Sequence, residues 1–289
     1  MVWLAAIVFL YLLLLFAVAW FSIHPFRTPL FISPGSLGSP QEEFQIASTD
    51  GIQLKCWWVP APEAKTVAIL CHGYVMNRSE LTPVACWLWQ RGISALLIEF
   101  RAHGHTRGGV STIGYRESDD VVAAIQEARN RCPDCKIILI GSSMGSAASA
   151  FAAAKVPVDG VVLDSAYSKL VDASFGWWRF LGGRWLSWLF GPTILLAGPL
   201  VRMNPFRVDV AAALETIHCP VLMLHGRCDN LALPEQAERN YAAAGGPKEL
   251  VWFDQCGHSE FRWVQSERYY QALENWLCKH NFLPKPEMS

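Results

Sequence analysis

A pentapeptide near the middle of the chain limits the possible folds more than any other feature. Residues 141–145 read GSSMG, follow the apolar run at 137–140, and precede a stretch of small residues at 147–154. In a G-x-S-x-G pattern between a strand and a helix, the serine occupies a sharp turn, and glycines flank it because neighbouring backbone passes close by. The pattern therefore predicts a nucleophile elbow with Ser143 as its exposed hydroxyl.

Apolar runs alternate with helical segments along most of the chain after residue 43. A hairpin is expected at Asp50-Gly51, and continuous apolar strands spaced by helices are typical of a mostly parallel sheet covered on both faces. Strands are expected at 66–71, 94–100, 136–140, 160–164, 221–224 and 250–253. Helices are expected at 80–90, 118–130 and about 266–280. The sequence therefore predicts one α/β domain at residues 43–289.

The first segment of the chain is long and apolar enough to cross a bilayer. No charged residue occurs between Trp3 and Ile23, and such a run at 1.5 Å per residue approaches the thickness of a hydrocarbon core. We expect an uncleaved transmembrane anchor at residues 1–24 and a linker rich in proline, glycine and serine at residues 25–42. A secretory signal peptide is the alternative, because residues 17–19 resemble a small-x-small cleavage site.

Charge and cysteine usage indicate the compartment and the partners. Arg27 is the basic residue nearest the apolar segment and lies on its C-terminal side, which predicts a cytoplasmic domain. Nine cysteines without framework spacing agree with reduced thiols there. Cys132 and Cys135 fall in a turn where neither a redox motif nor a zinc site is expected. The net charge of −1 gives no electrostatic case for nucleic acid, and no motif predicts a cofactor or a metal.

Polar side chains follow several strands at their carboxyl ends, where ligands gather in parallel sheets. Ser143 follows one strand, Asp229 another and His258 a third. A serine hydroxyl needs a base to act as a nucleophile, and the histidine needs a carboxylate that fixes its tautomer. These three residues therefore predict a catalytic triad. The backbone N–H groups of Met144 and Tyr74 are predicted to form the oxyanion hole.

Other residues compete for some of these roles. Asp164 ends its own strand and is the alternative partner for the histidine. His103 and His105 have the spacing of a metal pair, although histidines in a glycine-containing turn more often bind backbone. Cys228 and Cys256 lie on the loops of the predicted acid and base, and a disulfide between them under oxidation is a further hypothesis.

Several motifs in this order resemble the α/β-hydrolase superfamily, specifically the serine aminopeptidase S33-like group that includes monoacylglycerol lipases and membrane-anchored α/β-hydrolase-domain proteins. The resemblance covers about residues 43–282 and implies an α/β-hydrolase fold with Ser143 as the nucleophile. Glu99 stands where the family usually has aspartate, and Cys228 directly precedes the predicted acid. The motifs are HG at 72–73, FRAHGHT at 100–106, GSSMG at 141–145, HGRCD at 225–229 and GH at 257–258.

A long insertion follows the strand that ends at Asp164. More than fifty residues precede the next strand, whereas a βαβ crossover needs far fewer. We predict a helical cap at about 167–214, in which Trp185 and Trp188 help to form an acyl-binding wall over Ser143. A cap buried against the domain and a cap that faces the membrane both stay open.

Together these features predict a membrane-anchored serine hydrolase that cleaves carboxylic esters or thioesters with apolar acyl chains through an acyl-enzyme. Its partners would be a small-molecule or lipid ester and the membrane. A peptidase or amidase is the alternative with the same triad, and amide against ester turnover separates the two. A non-catalytic scaffold of this fold is the alternative from another class, which the filled catalytic positions disfavour.

Overall fold

An eight-stranded sheet forms the centre of the molecule, which we describe from a computed structural model over residues 1–283. The strand order is β1-β2-β4-β3-β5-β6-β7-β8, and β2 runs antiparallel to both of its neighbours. The remaining neighbouring pairs are parallel. The strands are β1 Glu42–Ala47, β2 Gln53–Val59, β3 Thr66–Cys71, β4 Ser94–Glu99, β5 Lys136–Ser142, β6 Gly160–Asp164, β7 Val221–Gly226 and β8 Lys248–Phe253.

Helices cover both faces of the sheet. Side chains of α3 and α4 pack on one face, and those of α2 and α10 pack on the other. The predicted mostly parallel sheet with helices on both faces is therefore confirmed. The helices are α1 Val2–Ile23, α2 Thr82–Trp89, α3 Glu117–Arg131, α4 Met144–Lys155, α5 Leu170–Phe190, α6 Ile194–Leu200, α7 Val210–Leu214, α8 Pro234–Ala243, α9 Phe261–Val264 and α10 Ser266–Lys279.

The interior strands have the continuous apolar character that their position requires. Every residue of β3, β4 and β6 is buried, because helices exclude water from both faces of a parallel sheet. The predicted hairpin also forms, since Ala47 of β1 pairs with Gln53 of β2 around the Asp50-Gly51 turn. The helix α8 carries few apolar residues, and the sequence did not indicate it.

The insertion between β6 and β7 forms a helical cap made of α5, α6 and α7. A bend at Gly182 and Gly183 divides α5, and the φ of Gly183 is +82°. Glycine adopts this left-handed conformation without a steric penalty. The bend separates the half of α5 that begins at the sheet from the half that carries Trp185 and Trp188.

The N-terminal helix α1 is the one helix in residues 1–283 that is long and apolar enough to cross a membrane. Most of its surface is exposed, and its buried residues recur every four positions at Leu15, Ala19 and Ile23. Residues at this spacing lie on one face of a helix. That face packs against α6 of the cap, so α1 is attached to the hydrolase domain along one stripe.

The cysteines differ from the expectation of reduced thiols at one place. A disulfide joins Cys132 and Cys135, whose Cα atoms lie 5.3 Å apart, because the turn that contains Pro133 brings the two residues together. Cys228 and Cys256 are free thiols, although the backbone N–H of Cys228 donates to the carbonyl of Cys256. The loops of the predicted acid and base are therefore joined by a backbone hydrogen bond.

Candidate active site

The GSSMG pentapeptide forms a tight turn between β5 and α4. β5 ends at Ser142 and α4 begins at Met144, so Ser143 alone makes the turn, with a φ of +51°. Such a conformation is costly for a residue with a side chain, by about 1–3 kcal/mol, and it is found mostly at functional sites. A β-carbon at Gly145 would collide with the carbonyl group of Cys71. The glycine requirement follows from this close approach to β3.

Ser143, His258 and Asp229 form one hydrogen-bonded chain. The distance from His258 Nε2 to Ser143 Oγ is 2.8 Å, and that from His258 Nδ1 to Asp229 Oδ2 is also 2.8 Å. The tautomer that suits both bonds has its proton on Nδ1, which donates to Asp229 and leaves Nε2 to accept from the serine hydroxyl. The structure thus brings together all three residues predicted as the triad.

Asp229 is held by the backbone of its own loop. Its Oδ1 accepts hydrogen bonds from the N–H groups of Leu231 at 2.8 Å and Ala232 at 2.9 Å, and the carboxyl group is fully buried. His225 lies 3.5 Å from Oδ2. Burial lowers the pKa of His225, so this ring is neutral at pH 7. The ring of His225 therefore adds no positive charge beside the carboxylate.

Asp164, the alternative acid, has other partners. Its Oδ1 accepts a hydrogen bond from the hydroxyl of Ser259 at 2.8 Å, and its Oδ2 lies 3.2 Å from Nε of Arg262. Burial raises the pKa of Asp164 although Arg262 opposes this shift. The side chain is therefore placed next to the loop of His258 without binding its ring.

A buried ion pair behind the elbow was missed by the sequence analysis. Glu80 accepts hydrogen bonds from the N–H of Gly73 at 2.6 Å, from the Ser142 hydroxyl at 2.8 Å and from Arg262 at 2.5 Å. Burial alone would raise the pKa of Glu80, but the charge of Arg262 and the hydrogen bonds from Gly73, Arg262 and Ser142 together outweigh burial, and the pKa is lowered. The pair fixes the Gly73 turn against the end of β5. No local motif indicates this contact, because the two partners lie far apart in sequence.

The two groups predicted to form the oxyanion hole flank Ser143. Met144 is the first residue of α4, and Tyr74 follows the Gly73 turn. A β-carbon at position 73 would lie 3.7 Å from that of Ser143. Within residues 1–283, the backbone N–H groups of Met144 and Tyr74 have no protein acceptor. Both donors are therefore available to a ligand beside the serine.

A cavity of about 340 Å³ extends from Ser143 and His258 toward the cap, which is in the range of small-molecule sites. Its walls are mostly apolar, and α1, α5 and α6 contribute to them together with loops of the hydrolase domain. The residues that form them include Ile23 of α1, Leu170, Trp177 and Trp178 of α5, and Ile194 and Ala197 of α6.

The cap tryptophans lie differently from the expectation. Trp185 and Trp188 are 67% and 73% exposed and do not line the cavity at Ser143. Both lie in the part of α5 after the bend, and the buried residue of that part is Ser187. The cavity wall uses Trp177 and Trp178 from the half before the bend, so the expected acyl wall at Trp185 and Trp188 is wrong.

The histidine pair that resembled a metal site is part of a turn. Nδ1 of His103 lies 2.8 Å from the carbonyl oxygen of Arg101. Burial lowers the pKa of His103, and His105 donates its backbone N–H to Glu99. No group of three histidine, cysteine or carboxylate side chains that could hold a metal ion occurs in the part of the chain that the structure describes.

The chain is similar to known proteins over most of its length. Residues 62–200 match the family model "Serine aminopeptidase, S33". The chain is 24% identical to a protein of Mycobacterium tuberculosis over 236 residues, which cover 81% of this chain and 78% of the relative. It is also 24% identical to the α/β-hydrolase domain-containing protein WAV2 of Arabidopsis thaliana, with 88% of this chain and 82% of the relative covered.

Solved structures show the same fold. An esterase from Pyrococcus furiosus superposes with a TM-score of 0.76 at 22% identity, covering 89% of this chain and 98% of the other. An acylaminoacyl peptidase from Pyrococcus horikoshii gives a TM-score of 0.67 at 15% identity over 87% of this chain and 43% of the peptidase. This chain has the α/β-hydrolase fold, and its residues 62–200 match the family model for serine aminopeptidase S33.

Proposed function

We propose that this chain is a membrane-anchored serine esterase that hydrolyses carboxylic esters or thioesters of apolar acyl chains through an acyl-enzyme. The observation that carries this proposal is the hydrogen-bonded chain of Ser143, His258 and Asp229 at one end of an apolar cavity. The triad supplies a nucleophile for acyl transfer. The mostly apolar lining of the cavity suits an acyl chain.

The proposed reaction has two steps. Ser143 Oγ attacks the acyl carbonyl carbon while His258 Nε2 takes its proton, and the N–H groups of Met144 and Tyr74 stabilise the oxyanion. His258 then gives the proton to the leaving alcohol or thiol, and the acyl group stays on Ser143. In the second step a water molecule, deprotonated by His258, attacks the acyl carbonyl carbon, the bond to Ser143 Oγ breaks, His258 returns the proton to Oγ, and the carboxylic acid is released. Asp229 stabilises the imidazolium in both steps.

Peptide hydrolysis is the second candidate, because the matching family model is named for an aminopeptidase. An aminopeptidase needs a carboxylate that is free to bind the substrate's terminal ammonium group. Of the two carboxylates among the described residues that line the cavity, Glu80 is paired with Arg262, and Glu260 accepts a hydrogen bond from the backbone of Gly257. Glu80 is thus not free for an ammonium group, whereas the exposed Glu260 has no salt-bridge partner among the described residues and is the carboxylate that a peptidase would use.

The membrane part of the proposal depends on two apolar surfaces. The free face of α1 is exposed and uncharged, and the cap presents the exposed side chains of Leu181, Trp185, Trp188 and Leu195 on its outside. Contiguous apolar surfaces of this kind mark membrane contacts. We propose that the domain is cytoplasmic because of the position of Arg27. The disulfide between Cys132 and Cys135 removes part of the support that cysteine usage gave to this location.

Removal of the nucleophile or the base tests the mechanism. We expect Ser143→Ala and His258→Ala each to lower kcat for an ester by on the order of 10³-fold or more, and the double variant to lose little beyond either. Ser143→Ala should also abolish labelling by a fluorophosphonate. Asp229→Asn should lose most of the activity, whereas the matched variant Asp164→Asn keeps the His258 contact and should retain far more. The opposite order for the two aspartates would contradict the assignment of the acid.

The cavity wall predicts which tryptophan affects substrate choice. Trp177 lines the cavity, and its ring packs against that of Tyr74 with centroids 5.4 Å apart. Because each buried methylene of an acyl chain contributes about 0.8 kcal/mol, Trp177→Ala should raise KM for long-chain esters severalfold more than for acetate esters. Trp188→Ala is the matched control and should change neither KM. A larger effect of Trp188→Ala would show that the acyl chain binds elsewhere.

The anchor makes a separate prediction about the whole protein. If residues 1–24 stay attached, the full chain should sediment with membranes and resist extraction by alkaline carbonate, because an uncharged helix of this length is stably inserted. Recovery of a soluble protein whose N-terminus is Trp20 would mean that the segment is a cleaved signal peptide. Esterase activity of that soluble protein would leave the catalytic proposal intact and overturn the anchoring.

A further inference from the structure

The anchor helix is connected to the cap along a defined stripe. Tyr11, Leu15, Ala19 and Ile23 follow each other at intervals of four residues and lie on the face of α1 that meets the cap. The Tyr11 hydroxyl donates a hydrogen bond to the carbonyl of Leu189 at 2.7 Å. The stripe is about 18 Å long at 1.5 Å per residue. The contact therefore covers roughly half of the helix, on the side next to the domain.

The last turn of α1 reaches the catalytic cavity. Ser22 and Ile23 both line it together with Ser143 and His258. The carbonyl of Ser22 accepts a hydrogen bond from the Tyr74 hydroxyl at 2.8 Å, and that of Ile23 accepts one from the N–H of Ser111 at 2.9 Å. These bonds hold the end of the helix against two loops of the hydrolase domain. The position of Ile23 in the wall is thus fixed from the domain side.

Residues of the cap form the part of the cavity wall next to Ile23. Ile23 and Ala19 form a small apolar cluster with Ala197 and Val201, and Ala197 and Val201 also line the cavity. Ile23 is 5% exposed, although it lies at the end of a helix whose free face is open. The contact between α1 and the cap therefore forms part of the cavity wall, with apolar side chains from both elements.

We propose that the last turn of the anchor helix is part of the acyl-binding site, and that Ile23 forms the wall that determines which acyl chain length fits. This inference rests on the proposed function, because it names the wall of the same cavity. An acyl chain bound to Ser143 extends along the cap to Ile23, in the seam between α1 and α6. The carbonyl of Ser22 accepts a hydrogen bond from the Tyr74 hydroxyl. The last turn of α1 is therefore joined to the residue whose backbone N–H we propose for the oxyanion hole.

The contact between α1 and α6 also indicates from which phase a substrate enters the cavity. When α1 spans a bilayer, the half of the helix next to the domain lies in the leaflet next to the domain, and the stripe from Tyr11 to Ile23 lies in that half. The cap that covers this stripe then meets the same leaflet. An ester already dissolved in this leaflet reaches the cavity without crossing water, which adds no desolvation cost for its acyl chain.

The test uses alkyl fluorophosphonates of two chain lengths, which label Ser143 whether or not the natural substrate is an ester. The full-length protein is placed in phosphatidylcholine vesicles, and labelling rates are measured with an ethyl and a dodecyl probe. Ile23→Trp enlarges the wall and should slow the dodecyl probe by on the order of tenfold or more while changing the ethyl probe much less. Ile7→Trp is the matched control on the same helix, where Ile7 is 64% exposed, and should change neither rate.

The outcomes separate this inference from the proposed function. Equal slowing of both probes by Ile23→Trp, or no slowing of either, would overturn the role of Ile23 in acyl binding. If Ile23→Trp is labelled by neither probe, Ile23→Ala decides: loss of part of the preference for the dodecyl probe supports the inference, and an unchanged preference overturns it. A wild-type protein that is labelled but hydrolyses no ester overturns the proposed function and leaves the comparison of probes valid.

Discussion

The close approach of the elbow to β3 is the constraint on which the rest of the site depends. Gly145 passes so near the carbonyl of Cys71 that no side chain fits there, and this packing holds Ser143 in its left-handed conformation at the end of β5. The hydroxyl of Ser146 ties the same turn to the carbonyls of Gly141 and Asp164 at 2.7 and 2.8 Å. With the turn fixed, the Ser143 hydroxyl lies 2.8 Å from His258 Nε2, and α4 begins at the next residue, Met144.

Polar groups around the elbow are paired so that one base is left for chemistry. Asp164 and Glu80 share Arg262, and the buried His225 is neutral. The ring of His72 is neutral as well, since burial and His103 lower its pKa to about 3. His258, which we propose as the base, is the histidine beside Ser143 that would carry the serine proton to the leaving group. Other uncompensated charges in a buried site would perturb this transfer. Of the charged groups that line the cavity, Glu80 and Arg262 form a pair and Glu260 is exposed.

Much of the fold could be predicted because the signals are local: apolar runs mark the interior strands, and the elbow motif marks one edge of the sheet. Asp229 and His258 could be named because each directly follows a strand. The ion pair of Glu80 and Arg262 could not, since its partners meet only after the sheet has formed. The cap could be located by its length, but the bend at Gly182–Gly183 decides which tryptophans face the cavity. The proposed role of Ile23 could not be predicted because Ile23 is one of many apolar residues in α1.

Trapping of the covalent intermediate tests the central claim most directly. The wild-type protein is mixed with a long-chain para-nitrophenyl ester and quenched rapidly in acid, and its proteolytic peptides are weighed by mass spectrometry. We expect the peptide that contains Ser143 to carry the mass of the acyl group, and we expect this adduct to disappear when substrate is exhausted. Rapid hydrolysis of the ester with the acyl group on another peptide, or with no adduct at any quench time, would contradict the proposal that Ser143 is the nucleophile.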